Sequence, residues 1–172
     1  MSTYINNLTF IERTKKIVCD YEGEYDVSLI INACVGLLFV AKEKHHGMLS
    51  KAKSEKTLTK WGLNPSYIQF CGRYDYRQKK VISHEINLSS ICTHIRNSIA
   101  HCNFKTLPER RKSKIEAILL RDFYVSHDKN KEPLMTFEAK ISIDDFKKFI
   151  MALADYILDN NSSHDKRIST CN

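Results

Sequence analysis

Val27-Ser28-Leu29-Ile30-Ile31-Asn32-Ala33-Cys34-Val35-Gly36-Leu37-Leu38-Phe39-Val40-Ala41 is the longest apolar run in the chain, and the reading of the fold starts there. A membrane-spanning helix needs about 20 apolar residues, so this run of fifteen, interrupted by Ser28 and Asn32, reads as a buried helix. It extends to about Lys44, is apolar nearly all round, and is expected at the centre of the fold. Asp26 can cap it, after the break made by Tyr21-Glu22-Gly23-Glu24-Tyr25.

Upstream, Thr3 to Cys19 places Ile5, Leu8, Ile11 and Lys15 at helical intervals, with Phe10, Thr14 and Ile17 on a neighbouring line, and predicts an amphipathic helix. Downstream, Lys42 to Lys60 turns polar and basic, six lysines against two glutamates, with turns expected around Gly47, Trp61-Gly62 and Pro65. Ser66 to Arg77 mixes Tyr67, Phe70, Tyr74 and Tyr76 with Arg73 and Arg77 and fits no simple period. A helix capped by Asn87 or Ser89 is predicted to run to about Phe104, followed by a basic turn with Arg110, Arg111, Lys112 and Lys114. Ile115 to Val125 and Leu134 to Ile141 alternate around a polar loop, His127 to Pro133, and predict a β-hairpin. Ser142 with Asp145 resembles a capping box opening a last helix, on which Phe146, Phe149, Ile150, Leu153, Ala154 and Ile157 keep the helical period. The expected architecture is mainly α, a helical bundle of about four main helices with a β-hairpin inserted before the last. One domain is expected over 1–160, with a flexible tail over 161–172.

At 172 residues the chain suits one ordinary domain, and its 42% hydrophobic and 27% charged residues are globular in composition. The formal charge of +7 attracts polyanions without choosing among them and excludes a strongly acidic partner mimic. Six cysteines at 19, 34, 71, 92, 102 and 171 form no Cys-x-x-Cys pair, which argues against a zinc ribbon or a thioredoxin-type site. The first sixteen residues carry Glu12, Arg13, Lys15 and Lys16 and do not read as a secretory leader, so reduced thiols in a soluble cytoplasmic protein are expected.

The segment Leu88 to Phe104 carries the chemistry. At about 100° per residue, Ile91, Cys92, Ile95, Ile99 and Cys102 form a core stripe, while His94, Asn97, Ser98 and His101 form a separate polar one. Arg96 and His101 diverge by about 140° on one helix, and a second copy packed against the first can bring them together. Alone, such a polar stripe also fits a helix edge that merely bonds to its neighbours. His45-His46 beside Glu43 point about 100° apart with no third ligand, and His94 and His101 lack an acidic partner at metal-ligand spacing, so no metal is expected.

The stretch His94-Ile95-Arg96-Asn97-Ser98-Ile99-Ala100-His101 contains Arg-Asn-x-x-x-His with Ala before the His, and it resembles the signature of HEPN domains, a superfamily of helical ribonucleases. The core helix, the Trp61-Gly62 turn, the motif helix, the hairpin and the Ile143-Asp144-Asp145-Phe146 helix also follow the order of a plasmid-borne HEPN subgroup, over roughly residues 3 to 158. The resemblance implies a metal-independent endoribonuclease of the toxin or phage-defence kind, acting as a homodimer without a cofactor. His101 would assist attack of the ribose 2′-OH on phosphorus, leaving a 2′,3′-cyclic phosphate and a 5′-OH. Arg96 would hold the scissile phosphate, a role suited to its permanently charged fork. Asn97 would orient His101 or bind a phosphate oxygen. His94 and Ser98 are supporting candidates. Lys51, Lys53, Lys56, Lys60, Arg73, Arg77, Arg110, Arg111 and Lys112 are candidates for the RNA approach surface. An antitoxin or regulatory protein is a possible partner, a membrane is not. The competing expectations are a non-catalytic HEPN module that binds nucleic acid, nucleotide or a regulator, and a plain interaction protein.

Overall fold

The structure, a computed structural model, describes residues 2–23, 26–49, 55–108, 114–128 and 130–168, with side chains over 8–23, 27–40, 58–108, 114–128 and 130–159. Among the described residues, five α-helices and five strands follow one another as α1 (Ser2–Asp20), α2 (Asp26–Leu49), α3 (Glu55–Lys60), β1 (Ile68–Asp75), β2 (Lys80–Ser83), α4 (Leu88–Ala100), β3 (Phe104–Leu107), β4 (Ala117–Tyr124), β5 (Leu134–Ser142) and α5 (Ile143–Ile168). The strands form one antiparallel sheet in the order β2-β1-β5-β4-β3.

This corrects the expected helical bundle: the fold is α+β, and the predicted hairpin, β4–β5, is the middle of a sheet rather than an insertion. The physical reason lies in the other three strands. β2 and β3 have four residues each, too few for a period of two to stand out. The β1 ladder slips register between Ile68 and Phe70, so its burial does not alternate. What makes these segments strands is the assembled sheet: β1 pairs with β5, far along the chain, and the short β2 and β3 add to it as edge strands on β1 and β4.

The helices pack as the apolar patterns require. α2 contacts α1, α4 and α5, and its Ile30, Cys34, Leu37 and Leu38 are buried. Gly47, expected at a turn, lies within α2. Phe146, Phe149, Ile150, Leu153 and Ile157 on α5 are fully buried. The Ser142–Asp145 box forms: Ser142 Oγ accepts from Asp145 N at 3.1 Å and donates to Asp145 Oδ2 at 2.8 Å. Lys15 on α1 pairs with Asp155 on α5. Helix α5 continues to Ile168, and positions 169–172 of the expected tail lie outside the described residues.

Trp61 packs against Phe149 and Tyr156, with ring centroids 6.5 and 5.2 Å away. Gly62 follows with φ +81°, where an added Cβ would stand 2.7 Å from the Asp145 carbonyl oxygen. Only glycine fits that combination of backbone angle and close approach. On the sheet, Ile118 and Leu120 of β4 and Phe137, Ala139 and Ile141 of β5 face the helices, while Leu119 and Phe123 are only half-buried. A second register shift, between Asp122 and Phe123, places a bulge beside the only buried carboxylate among the described residues.

Candidate functional site

Helix α4 lies between α2 and β4. At its start Asn87 Oδ1 accepts from Ser90 N at 2.9 Å and Ser90 Oγ accepts from Asn87 N at 3.3 Å, a reciprocal capping box. Its end comes sooner than the periodicity predicts. Cys102 adopts φ +56°, its N–H bonds Ile99 O at 3.0 Å, and Asn103 N bonds Ser98 O at 2.7 Å. That pair of bonds around a left-handed residue is a Schellman stop, made here without the glycine that advertises one in a sequence. His101 is therefore the C-cap, exposed, with its N–H bonded to Asn97 O. The next turn is tied to the sheet through Arg121 N, which donates to Asn103 O at 2.9 Å. Cys102, placed by periodicity in the core stripe, is exposed for the same reason.

The polar face of α4 turns onto β4. His94 Nδ1 and Asp122 Oδ2 are 2.8 Å apart, both side chains buried. Asn97 Nδ2 donates to the same oxygen at 3.0 Å. Asn97 Oδ1 in turn accepts from Arg96 Nη2 at 2.6 Å, and Asp122 Oδ1 accepts from Phe123 N at 2.9 Å. The His94 ring stacks on Phe137 with centroids 4.9 Å apart and planes 4° apart. Burial disfavours the charged form of His94, but hydrogen bonds to Asp122 and Cys71 and the charge beside it outweigh burial and raise its pKa from 6.5 to about 9. At neutral pH the His94–Asp122 contact is an ion pair. Ser98 is fully buried, its Oγ donating to His94 O at 2.7 Å, so it serves the helix and does not face solution.

Arg96 is half-buried, and its Nε is buried with no hydrogen-bond partner. Among the described residues no hydrogen bond or ion pair joins Arg96 to His101. One chain thus links Arg96, Asn97, Asp122 and His94 into a network and leaves His101 presented at the helix end. Sequence reasoning missed Asp122. Its signal was a lone acid in the alternating run Ile118-Leu119-Leu120-Arg121-Asp122-Phe123, on the side of Ile118 and Leu120.

The candidate RNA contacts divide three ways. Lys60, at the end of α3, and Arg73 and Arg77, on β1 and the turn after it, are exposed. The side chain of Lys56 lies outside the described residues, as do Lys51, Lys53, Arg110, Arg111 and Lys112 altogether. Tyr67 is accounted for structurally, its hydroxyl donating to Asp145 Oδ2 at 2.9 Å.

Five cysteines, Cys19, Cys34, Cys71, Cys92 and Cys102, are free thiols. Burial pushes Cys34 up and Cys92 to about 12, which makes both inert packing groups. Among the described residues no three His, Cys, Asp or Glu side chains gather as a metal site, and no helix is long and apolar enough to cross a membrane.

The family model that matches this chain over residues 1–164 is a HEPN one. The chain belongs to the HEPN pEK499 p136 family, an assignment that suggests a nuclease or RNA-binding module. Neither a curated protein nor a solved structure matches it.

Proposed function

We propose that the protein is a metal-independent endoribonuclease of a prokaryotic toxin or phage-defence type, with its active site where two copies of α4 meet. The observation that carries this reading is the placement of the motif. His101 is exposed at the C-cap, one turn beyond an Asn97 whose amide is fixed on both sides. An imidazole held on a rigid helix end can take the proton of a ribose 2′-OH. The 2′ oxygen then bonds to phosphorus as the P–O5′ bond breaks, and the 5′ oxygen departs with a proton as 5′-OH. Arg96, half-buried beside Asn97, would stabilise the charge on the phosphoryl oxygens. Deoxyribose lacks the nucleophile, so DNA would not be cut.

In this reading a twofold pairing brings one copy's His101 to the other's Arg96. Incubation with RNA in EDTA should yield fragments with 2′,3′-cyclic phosphate ends, and sedimentation should give a dimer. His101→Ala that cuts at the wild-type rate would refute the mechanism. The second reading is a non-catalytic RNA-binding or regulatory module, which RNA bound by a monomer and never cut would favour. On the nuclease reading, an antitoxin or other regulator would act by covering the α4 end, and an expressed wild type that arrests growth beside a silent Arg96→Ala would point to a toxin.

A further inference from the structure

The aromatic residues of the β1–β2 hairpin do not share one fate. Tyr74 lies flat on Tyr124 of β4, ring centroids 3.7 Å apart and planes 5° apart. Tyr76 stands edge-on to both, at 5.1 and 5.9 Å, and remains 74% exposed. A tyrosine this exposed is normally free to sample rotamers, but here two rings fix its orientation. The three rings wall an open cavity of about 270 Å³ whose floor is formed by His94, Asp122 and Thr136, with Asn97 at its α4 side and Arg73 at its edge. That volume lies just below the range of about 300–1,000 Å³ usual for ligand sites, room for a single planar group. The floor carries a carboxylate matched by the imidazolium beside it, so it is close to neutral and does not favour an anion. Arg73 is the cation that lines the cavity, and Arg77, Lys79 and Lys80 are exposed on the turn after Tyr76 and at the start of β2, with Asp75 as the acid of that turn. Asp75 is spent on the turn, its Oδ1 accepting from Arg77 N at 2.8 Å and Gln78 N at 3.0 Å.

We infer that this cavity is a base-binding subsite for single-stranded RNA, in which Tyr76 stacks on one nucleobase while Arg73 and Arg77 hold the flanking phosphates. An aromatic face with cations at its edge is the chemistry that grips unpaired nucleotides, and ordering Tyr76 in advance lowers the entropic cost of binding. The cavity shares Asn97 with the motif, so a base seated there fixes which phosphate reaches Arg96. The inference rests on the RNA reading above and names which part of the substrate the protein grips.

The test is fluorescence anisotropy with a labelled single-stranded oligonucleotide, 2′-O-methylated throughout so that it has no 2′-OH to attack. The expected result is that Tyr76→Ala weakens binding about tenfold, the loss of one base–aromatic stack, while Tyr76→Phe binds as the wild type does. Arg73→Gln should weaken binding and flatten its salt dependence by about one counterion. Wild-type affinity in Tyr76→Ala, or no binding by the wild type, would overturn the subsite. A wild type that cuts natural RNA while Tyr76→Ala binds the methylated strand unchanged sinks the subsite and leaves the nuclease. A wild type that never cuts but loses affinity with Tyr76→Ala sinks the nuclease and leaves the subsite.

Discussion

The imidazole of His94 and the carboxylate of Asp122 meet at 2.8 Å, buried where α4 crosses β4, with Phe137 stacked beneath the ring. This contact fixes the rotation of the motif helix against the sheet. Through Asp122 Oδ2 it reaches Asn97, and through Asn97 it reaches Arg96.

The pair makes stability depend on pH. His94 is raised above its ordinary value, from 6.5 to about 9, so its contribution is complete below about pH 6.5 and is lost as pH rises through about 9. Thermal unfolding followed across that window should show the wild type losing melting temperature where His94→Phe does not. At neutral pH His94→Phe keeps the stack on Phe137 but strands the buried carboxylate, a cost of about 3 kcal/mol.

Ser98 and His101 should separate cleanly. Ser98→Ala removes a hydroxyl that only bonds back to His94 O, so stability should change by less than about 1 kcal/mol and RNA cleavage by no more than a few-fold. His101→Ala, on the surface, should leave stability within about 0.5 kcal/mol yet abolish cleavage. Urea unfolding run beside a cleavage assay checks both; equal loss of activity in the two variants would contradict the roles given them.

Asp122→Asn tests whether the buried acid positions the motif. The amide keeps the shape but removes the charge facing His94 and leaves one acceptor oxygen for His94, Asn97 and Phe123 N to share, so Asn97 is held less firmly, which should shift the pH profile of cleavage and lower kcat more than it raises KM. A profile and kcat identical to wild type would make Asp122 a packing residue only.

Gly62→Ala should destabilise the fold by about 2 kcal/mol. The backbone there has φ +81°, and the new methyl would press on Asp145 O at 2.7 Å and Lys148 Cβ at 3.0 Å. The urea midpoint should fall without a change in slope.

Legible from the residues alone are the helices that bury a continuous face, the β4–β5 hairpin, the Ser142–Asp145 cap and the Arg96-Asn97-His101 motif. These are local patterns, written in periods of 3.6 and 2 over eight or more residues. Helix α4 was legible in its start but not in its end, because Cys102 takes the left-handed turn that a glycine would have announced. That four-residue β2 and β3 and the bulged β1 are strands emerges only with the assembled sheet: β1 is joined to β5, Ile68 opposite Ala139, while β2 and β3 are short outer strands laid on β1 and β4. The tertiary structure alone turned His94 inward onto Asp122, 28 positions away, and gathered Tyr74, Tyr76 and Tyr124 around one cavity. A contact between distant segments leaves no period in either of them, and a buried acid is recognisable only once its partner is in place.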